Sequence, residues 1–261
     1  MLHAAAHPAF APFSRWWPAD PSAPIPPVAT LDAWARDVAL ALPDGRPLAF
    51  VAAPARSTGA LDYERRIAER GEVATRTGNR HDFCNALAWL AFPRTKAALN
   101  AVHVASAPAA TPNARDRGRD AATLLDESGL IVACADAGLV AAWRDHRWRE
   151  AFGDRPLTGA RPLRAVAIGH GLIAKLAAPF PAITGRAVVL PLDAATLPEA
   201  PAALAATLDA AAADAIAARG ATWSPATLLP LPVAALPGWD TEGQGARLFD
   251  DVSVFRLRVL R

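Results

Sequence analysis

Apolar positions along the chain first fall into a helical rhythm at Leu31, Trp34, Val38 and Leu42, so the spacing predicts a helix over 31–42, stopped by Pro43-Asp44-Gly45. Ahead of it, residues 1–30 are rich in proline and hold Trp16-Trp17, a composition that predicts an extended arm pinned by its aromatics. Residues 47–53 read as a short strand. The charged stretch 62–70 is compatible with a helix, and Gly71 is placed to cap it. Leu87, Leu90 and Ala91 stripe a helix that begins near His81 and ends at Phe92, because Pro93 restricts the residue before it. A second helix, 94–104, follows in a new direction.

Residues 105–119, full of proline, small residues and arginine, read as a loop. Two apolar runs, 121–126 and 130–134, flank Glu127-Ser128-Gly129 and read as a β-hairpin with a tight turn. Trp143, Arg144, Arg147, Trp148 and Phe152 outline a helix with one aromatic and one basic face. A strand over 162–168 runs into Gly169-His170-Gly171 and a helix at 172–176. A strand at 187–192, an alanine-rich helix at 200–219 and a proline-laced edge strand or strap at 228–236 complete the pattern. The prediction is an α+β fold: one domain over 31–261 behind the arm 1–30, with helices packed on a mixed sheet that contains a hairpin.

Composition narrows the function. A chain of 261 residues lies within reach of one hydrophobic core. Its 27 lysines and arginines nearly balance 25 aspartates and glutamates, which argues against the broad basic surface of a general nucleic-acid binder. Arginine supplies almost every cation, as a GC-rich genome would dictate, and only Lys96 and Lys175 are lysines. A lysine that persists under that bias is either a chance survivor or supplies what arginine cannot. Cys84 and Cys134 read as buried thiols. The first residues lack the charged start and apolar run of a signal peptide, and charge or proline interrupts the apolar runs elsewhere before about 18 residues. A cytoplasmic protein with no membrane partner is therefore expected. No Rossmann fingerprint, P-loop, Gly-x-Ser-x-Gly elbow, paired Cys-x-x-Cys or His-Glu-x-x-His occurs, so no cofactor is singled out.

The densest polar cluster is His81-Asp82-Phe83-Cys84-Asn85. Helical spacing puts His81 and Asn85 on one face with Trp89 continuing the line. His81 reads equally as the helix cap, with Asp82 favouring the positive helix end. Arg94 and Lys96 are placed either to grip an anion or to pair with Asp120 or Asp126 as salt bridges. Asp126 and Glu127 begin a turn, or join Asp120 in a metal or acid–base site of the kind that serves phosphoryl transfer. His170 between two glycines is an acid or base beside an amide-lined anion site, or a buried histidine in a tight turn.

The stretch from His81 to Lys96 (HDFCNALAWLAFPRTK) resembles the bacterial domain-of-unknown-function family 3025. Tyr63-Glu64, Gly71-Glu72-Val73, Arg119-Asp120-Ala121, Leu125 to Gly129, Gly169-His170 and Leu236 to Trp239 fit as well, as do Phe249-Asp250-Asp251 and Val254-Phe255-Arg256. The resemblance implies one domain and brings no activity, ligand or catalytic residue with it. The leading expectation is an enzyme acting on an anionic small molecule or phosphate ester, possibly hydrolytic. It uses His81, Asn85, Asp120, Asp126 and His170 in one cleft, with Arg94 and Lys96 on the anion. The alternative is a non-catalytic protein- or nucleic-acid-binding module built on the arginines of 114–119 and the helix 143–152.

Overall fold

The computed structural model describes residues 7–18, 20, 23–55, 59–105, 116–153, 162–219, 222–239 and 245–256. Its helices are α1 (Val28–Asp37), α2 (Ala60–Arg70), α3 (Arg80–Ala91), α4 (Pro93–Ala105), α5 (Arg117–Ser128), α6 (Ala137–Arg144), α7 (His170–Leu176) and α8 (Pro201–Arg219). Its strands are β1 (Ala49–Ala52), β2 (Glu72–Thr75), β3 (Gly129–Ala133), β4 (Arg164–Ala167), β5 (Thr184–Leu190) and β6 (Leu229–Pro232).

This is the α+β arrangement expected, in two sheets. β1 and β2 pair in parallel with Phe50 opposite Val73, and α2 is the crossover between them. Gly71 ends α2 in the left-handed region at φ 68°, with its amide bonded to the Ile67 carbonyl, as a C-cap glycine should. The larger sheet has the order β4-β3-β5-β6, with β3 parallel to β5 and the outer pairs antiparallel. All five residues of β3 are buried, which accounts for its unbroken apolar run. β6, Leu-Pro-Leu-Pro, takes the edge that its prolines require.

The hairpin expected at 121–134 does not form. Asp116 caps α5 by accepting from the amides of Gly118 and Arg119 at 2.9 and 3.1 Å, and β3 starts directly after the helix. Ala121, Ala122 and Leu125 bury one helical face. So short an apolar run satisfies the strand period as well as the helical one, and length beyond the run decides. The expected helix 143–152 does not form as one element either: α6 lies earlier, at Ala137–Arg144, and a separate π-turn occupies Arg149–Gly153. Trp143 and Trp148 are buried, donating to the carbonyls of Pro230 and Arg256 at 2.7 and 2.9 Å. The described part of the arm contains a 3-10 turn, Pro8–Phe13, in place of uniformly extended chain. Its Phe10 and Phe13 are buried, and Trp17 packs on Phe10 and Phe83.

α4 lies at the centre of the helical layer, against α2, α3, α5 and α8. Asp209 of α8, buried, receives the first-turn amides of Arg94 (3.0 Å) and Thr95 (2.7 Å), so one helix caps another from 115 residues away. α8 is long and apolar enough to cross a membrane by length and composition alone, its run broken only by Asp209 and Asp214. The packing uses it otherwise. Leu204, Leu208, Ala212 and Ile216 are buried against the domain, and Asp209 is consumed by α4.

Candidate functional site

Three elements deliver side chains to one place. α3 begins at an Asn79 cap, whose Oδ1 accepts from the Asp82 amide at 3.0 Å, so His81 is not the cap and its ring is free to turn outward. α5 carries Asp126 and Glu127 on its last turn. α7 opens with His170. A Cβ on Gly169 would fall 2.1 Å from the Gly129 nitrogen, and one on Gly171 would fall 2.6 Å from Glu127 Oε2 and 2.9 Å from the Glu127 carbonyl oxygen. The glycines flanking His170 therefore let α7 press against the end of α5. The Gly169 amide is engaged with the Gly129 carbonyl at 3.0 Å, as is that of Ile168.

The convergence centres on Glu127. Its Oε2 lies 3.3 Å from His81 Nε2 and its Oε1 lies 3.3 Å from His170 Nε2, and the two imidazoles meet edge to face with centroids 4.4 Å apart. On their far sides, His81 Nδ1 faces Asp82 Oδ1 at 3.7 Å and His170 Nδ1 faces Asp126 Oδ2 at 3.6 Å. His81 and Glu127 are each 46% exposed while His170 is 7% exposed, so the cluster has a buried back and an open front. The bond from His170, with the charges of both imidazole neighbours, outweighs desolvation and lowers the Glu127 carboxyl to about 2. One donor atom from each of His81, Glu127 and His170 lies within 4.8 Å of the other two, a set able to hold a metal ion.

Behind the cluster runs a buried polar chain. Lys96, 5% exposed, donates to Asp126 Oδ1 in a short contact and to Asn85 Oδ1 at 2.8 Å, and its ammonium lies 5.4 Å from the Trp89 ring centroid. Burial alone would raise Asp126, but Lys96 and then His170 outweigh it, so the carboxyl lies below its usual range. Asn85 Nδ2 donates to the Tyr63 hydroxyl at 2.8 Å, leaving that hydroxyl's own proton available. Burial, then the nearby Glu64 and Asp126 charges, push the Tyr63 phenol upward, so it stays neutral. Asp82 is raised by burial but held low overall by Arg76, which grips it through Nε (2.9 Å), NH2 (2.7 Å) and its backbone amide (2.8 Å).

The cluster forms one wall of a cavity of about 660 Å³, a volume suited to a small-molecule ligand. The opposite wall comes from the chain just past the carboxyl ends of the parallel strands β1 and β2, including Ala53 and Arg76, and from Tyr63 and Glu64 of α2. Arg119 lines it with no ion pair among the described residues. Of the residues singled out from the sequence, His81, Asn85, Asp126 and His170 all reach this cavity. Asp120 does not. It is exposed and, although it shares the helical face of Glu127, it stands two turns, about 10 Å, before that residue on α5. Nor do Arg94 and Lys96 line the cavity. Arg94 is exposed at the α8 end of α4, and Lys96 is buried beneath the cavity, spent on Asp126 and Asn85.

Glu127, one of the carboxylates open to a metal or acid–base reading, and Arg119 of the 114–119 arginines line the cavity too, and so do Tyr63, Glu64 and His103, which sequence reasoning did not place in a site. The chain's sole tyrosine was one available signal. Another was the helical spacing of Lys96, Asn100 and His103 on α4, where Asn100 bonds Glu64 Oε2 at 2.6 Å. Neither a comparison with curated proteins nor one with solved structures finds a match. The model of one family, described as a protein of unknown function, DUF3025, matches residues 48–258, which spans both sheets and every wall of the cavity, and the chain belongs to that family.

Proposed function

We propose that the chain is a hydrolytic enzyme of anionic small molecules, phosphate esters foremost, with the cavity between α2, α3, α5 and α7 as its active site. One observation carries this reading: His81, Glu127 and His170, from three separate elements, meet with donor atoms within 4.8 Å at the open wall of that cavity. A packed core has no use for that arrangement, because partly exposed charged groups contribute little stability. The cluster holds and polarises a water, which attacks the ester phosphorus. The new P–O bond forms as the bond to the leaving alcohol breaks, and the water's proton passes through the cluster to that alcohol. Arg119 meets the substrate's charge, and the Tyr63 hydroxyl donates to it. A bacterial, cytoplasmic setting accords with the arginine-biased composition and with two buried cysteines that form no disulfide.

The binding-module reading draws less support. Its aromatics Trp143 and Trp148 are buried, Arg147 pairs with Glu150 and Arg149 with Asp250, so that surface offers Arg144 and half-exposed ion pairs but no aromatic face to a partner. The arginine of 114–115 lies outside the described residues. A panel of chromogenic phosphomonoesters, phosphodiesters and carboxylic esters tests the enzyme reading. The expected result is turnover that Glu127→Gln reduces on the order of 100-fold or more, with a raised KM in Arg119→Ala. Turnover equal in wild type and Glu127→Gln would sink it.

A further inference from the structure

We infer that His81, Glu127 and His170 form a binding site for one divalent transition-metal ion of the zinc class, with Asp82 and Asp126 orienting the two imidazoles from behind. This deepens the hydrolytic reading and rests on the same cavity, although metal binding is measurable without any substrate.

The first argument is an inventory of hydrogen bonds. Each histidine lies between two carboxylates: His81 between Asp82 and Glu127, His170 between Asp126 and Glu127. A neutral imidazole has one N–H and one lone pair, so it cannot donate to both. His170 Nδ1 has no hydrogen-bond partner although it is buried. A cation at the centre resolves both rings together. The Nε2 lone pairs and Glu127 turn to the ion, and each Nδ1–H turns to its aspartate, the carboxylate–histidine–metal arrangement that fixes a ligand's tautomer and orientation.

Geometry and charge agree. An ion with arms of about 2.0–2.1 Å sets neighbouring donors roughly 3.3–3.4 Å apart, and each imidazole Nε2 stands 3.3 Å from its own oxygen of Glu127, so the carboxylate faces the ion with both oxygens. Three protein donors leave the side toward the cavity open to water or substrate, the pattern of a catalytic rather than a structural site. Two imidazoles select a transition metal over magnesium or calcium. Asp82, Asp126 and Glu127 bring negative charge to the point where the dication would sit, and Arg119 on the cavity wall faces an anionic substrate.

Full-length protein dialysed against EDTA and titrated calorimetrically with Zn²⁺, and spectroscopically with Co²⁺, tests the inference. One ion per chain is expected, with visible cobalt bands of low-coordinate type and no comparable response to Mg²⁺. His81→Ala and Glu127→Gln, both at half-exposed positions and checked for unchanged circular dichroism, should each weaken Zn²⁺ on the order of 100-fold or more. Asp126→Asn should weaken it about 10–100-fold. Absence of Zn²⁺ binding, or binding that survives His81→Ala and Glu127→Gln undiminished, overturns the site. Catalysis fails separately. A chain that binds one zinc and turns over none of the esters ends the hydrolytic reading alone, whereas turnover that persists in EDTA with no zinc bound ends the metal site alone.

Discussion

Two aspartates hold the first turn of α4 from opposite sides, and they make an informative pair. Asp209 reaches in from α8 and takes the amides of Arg94 and Thr95; Asp126 reaches in from α5 and takes the ammonium of Lys96, the next residue along. The Asp209 side is closed, since both carboxylate oxygens are engaged with the helix they cap. The Asp126 side is open, because its second oxygen faces a histidine whose ring continues, through Glu127 and His81, to a cavity. Asp209 is buried and Asp126 only 18% exposed, and both have partners, so low exposure and pairing do not distinguish a fold element from a site. Unused bonding capacity facing a space does.

Breaking the pair at its strongest point comes first. Lys96→Met strands Asp126 and Asn85 and should cost about 3–5 kcal/mol in chemical denaturation. The double variant Lys96→Met/Asp126→Leu should recover much of that loss while leaving zinc binding and turnover impaired, which separates the pair's structural share from its service to His170. Asp209→Ala, on the closed side, should cost about 2–3 kcal/mol, yet in protein that remains folded it should leave zinc affinity within about two-fold. Equal damage to zinc affinity from Asp209→Ala and Asp126→Asn would erase the distinction between the two sides.

Gly171→Ala drives a methyl toward Glu127 and should cost about 1–3 kcal/mol by denaturant midpoint, with zinc affinity falling alongside. His81→Ala should change stability by no more than about 0.5 kcal/mol, although it removes a donor. The smallest effect is acid–base. Burial raises Asp209 above its ordinary value, with the bonds from Thr95 and Arg94 opposing. Between about pH 4 and that raised native value the folded state holds more protons than the unfolded, so this residue's share of stability falls as pH rises through the window. Asp209→Asn should flatten the slope of denaturation free energy against pH there, and an unaltered slope would assign the protonation elsewhere.

Much of this was legible in the chain. The α3–α4 stretch declared itself because His81 and Asn85 stand one helical turn apart and Pro93 fixes the break before Lys96, so periodicity placed both polar groups correctly. The Lys96–Asp126 salt bridge was one of two readings open for those residues. Reading 121–126 as a strand hid the rest. On α5, Arg119, Thr123 and Asp126 follow one another along a single stripe toward the cavity, whereas a strand would have turned Asp126 to the face opposite Thr123. The meeting of Glu127 with two histidines, 46 and 43 residues away, depends on a close approach of α7 to α5 that only the glycines at 169 and 171 hinted at. Sequence spacing carries no record of such a distance.

The capping of α4 by α8 bears on the order in which the molecule assembles. Residues 80–176 hold every donor of the cluster, yet the turn that presents Lys96 gains its carboxylate cap only from Asp209, some 115 positions later. On the ribosome, a nascent chain that has not yet exposed α8 carries this helix with its opening amides unsatisfied by protein. Contacts of such long sequence separation are costly to close and slow to form. The pocket is therefore completed late, as a product of whole-chain closure, and a fragment ending before residue 201 would carry all the chemistry and lack the clamp that holds it in register.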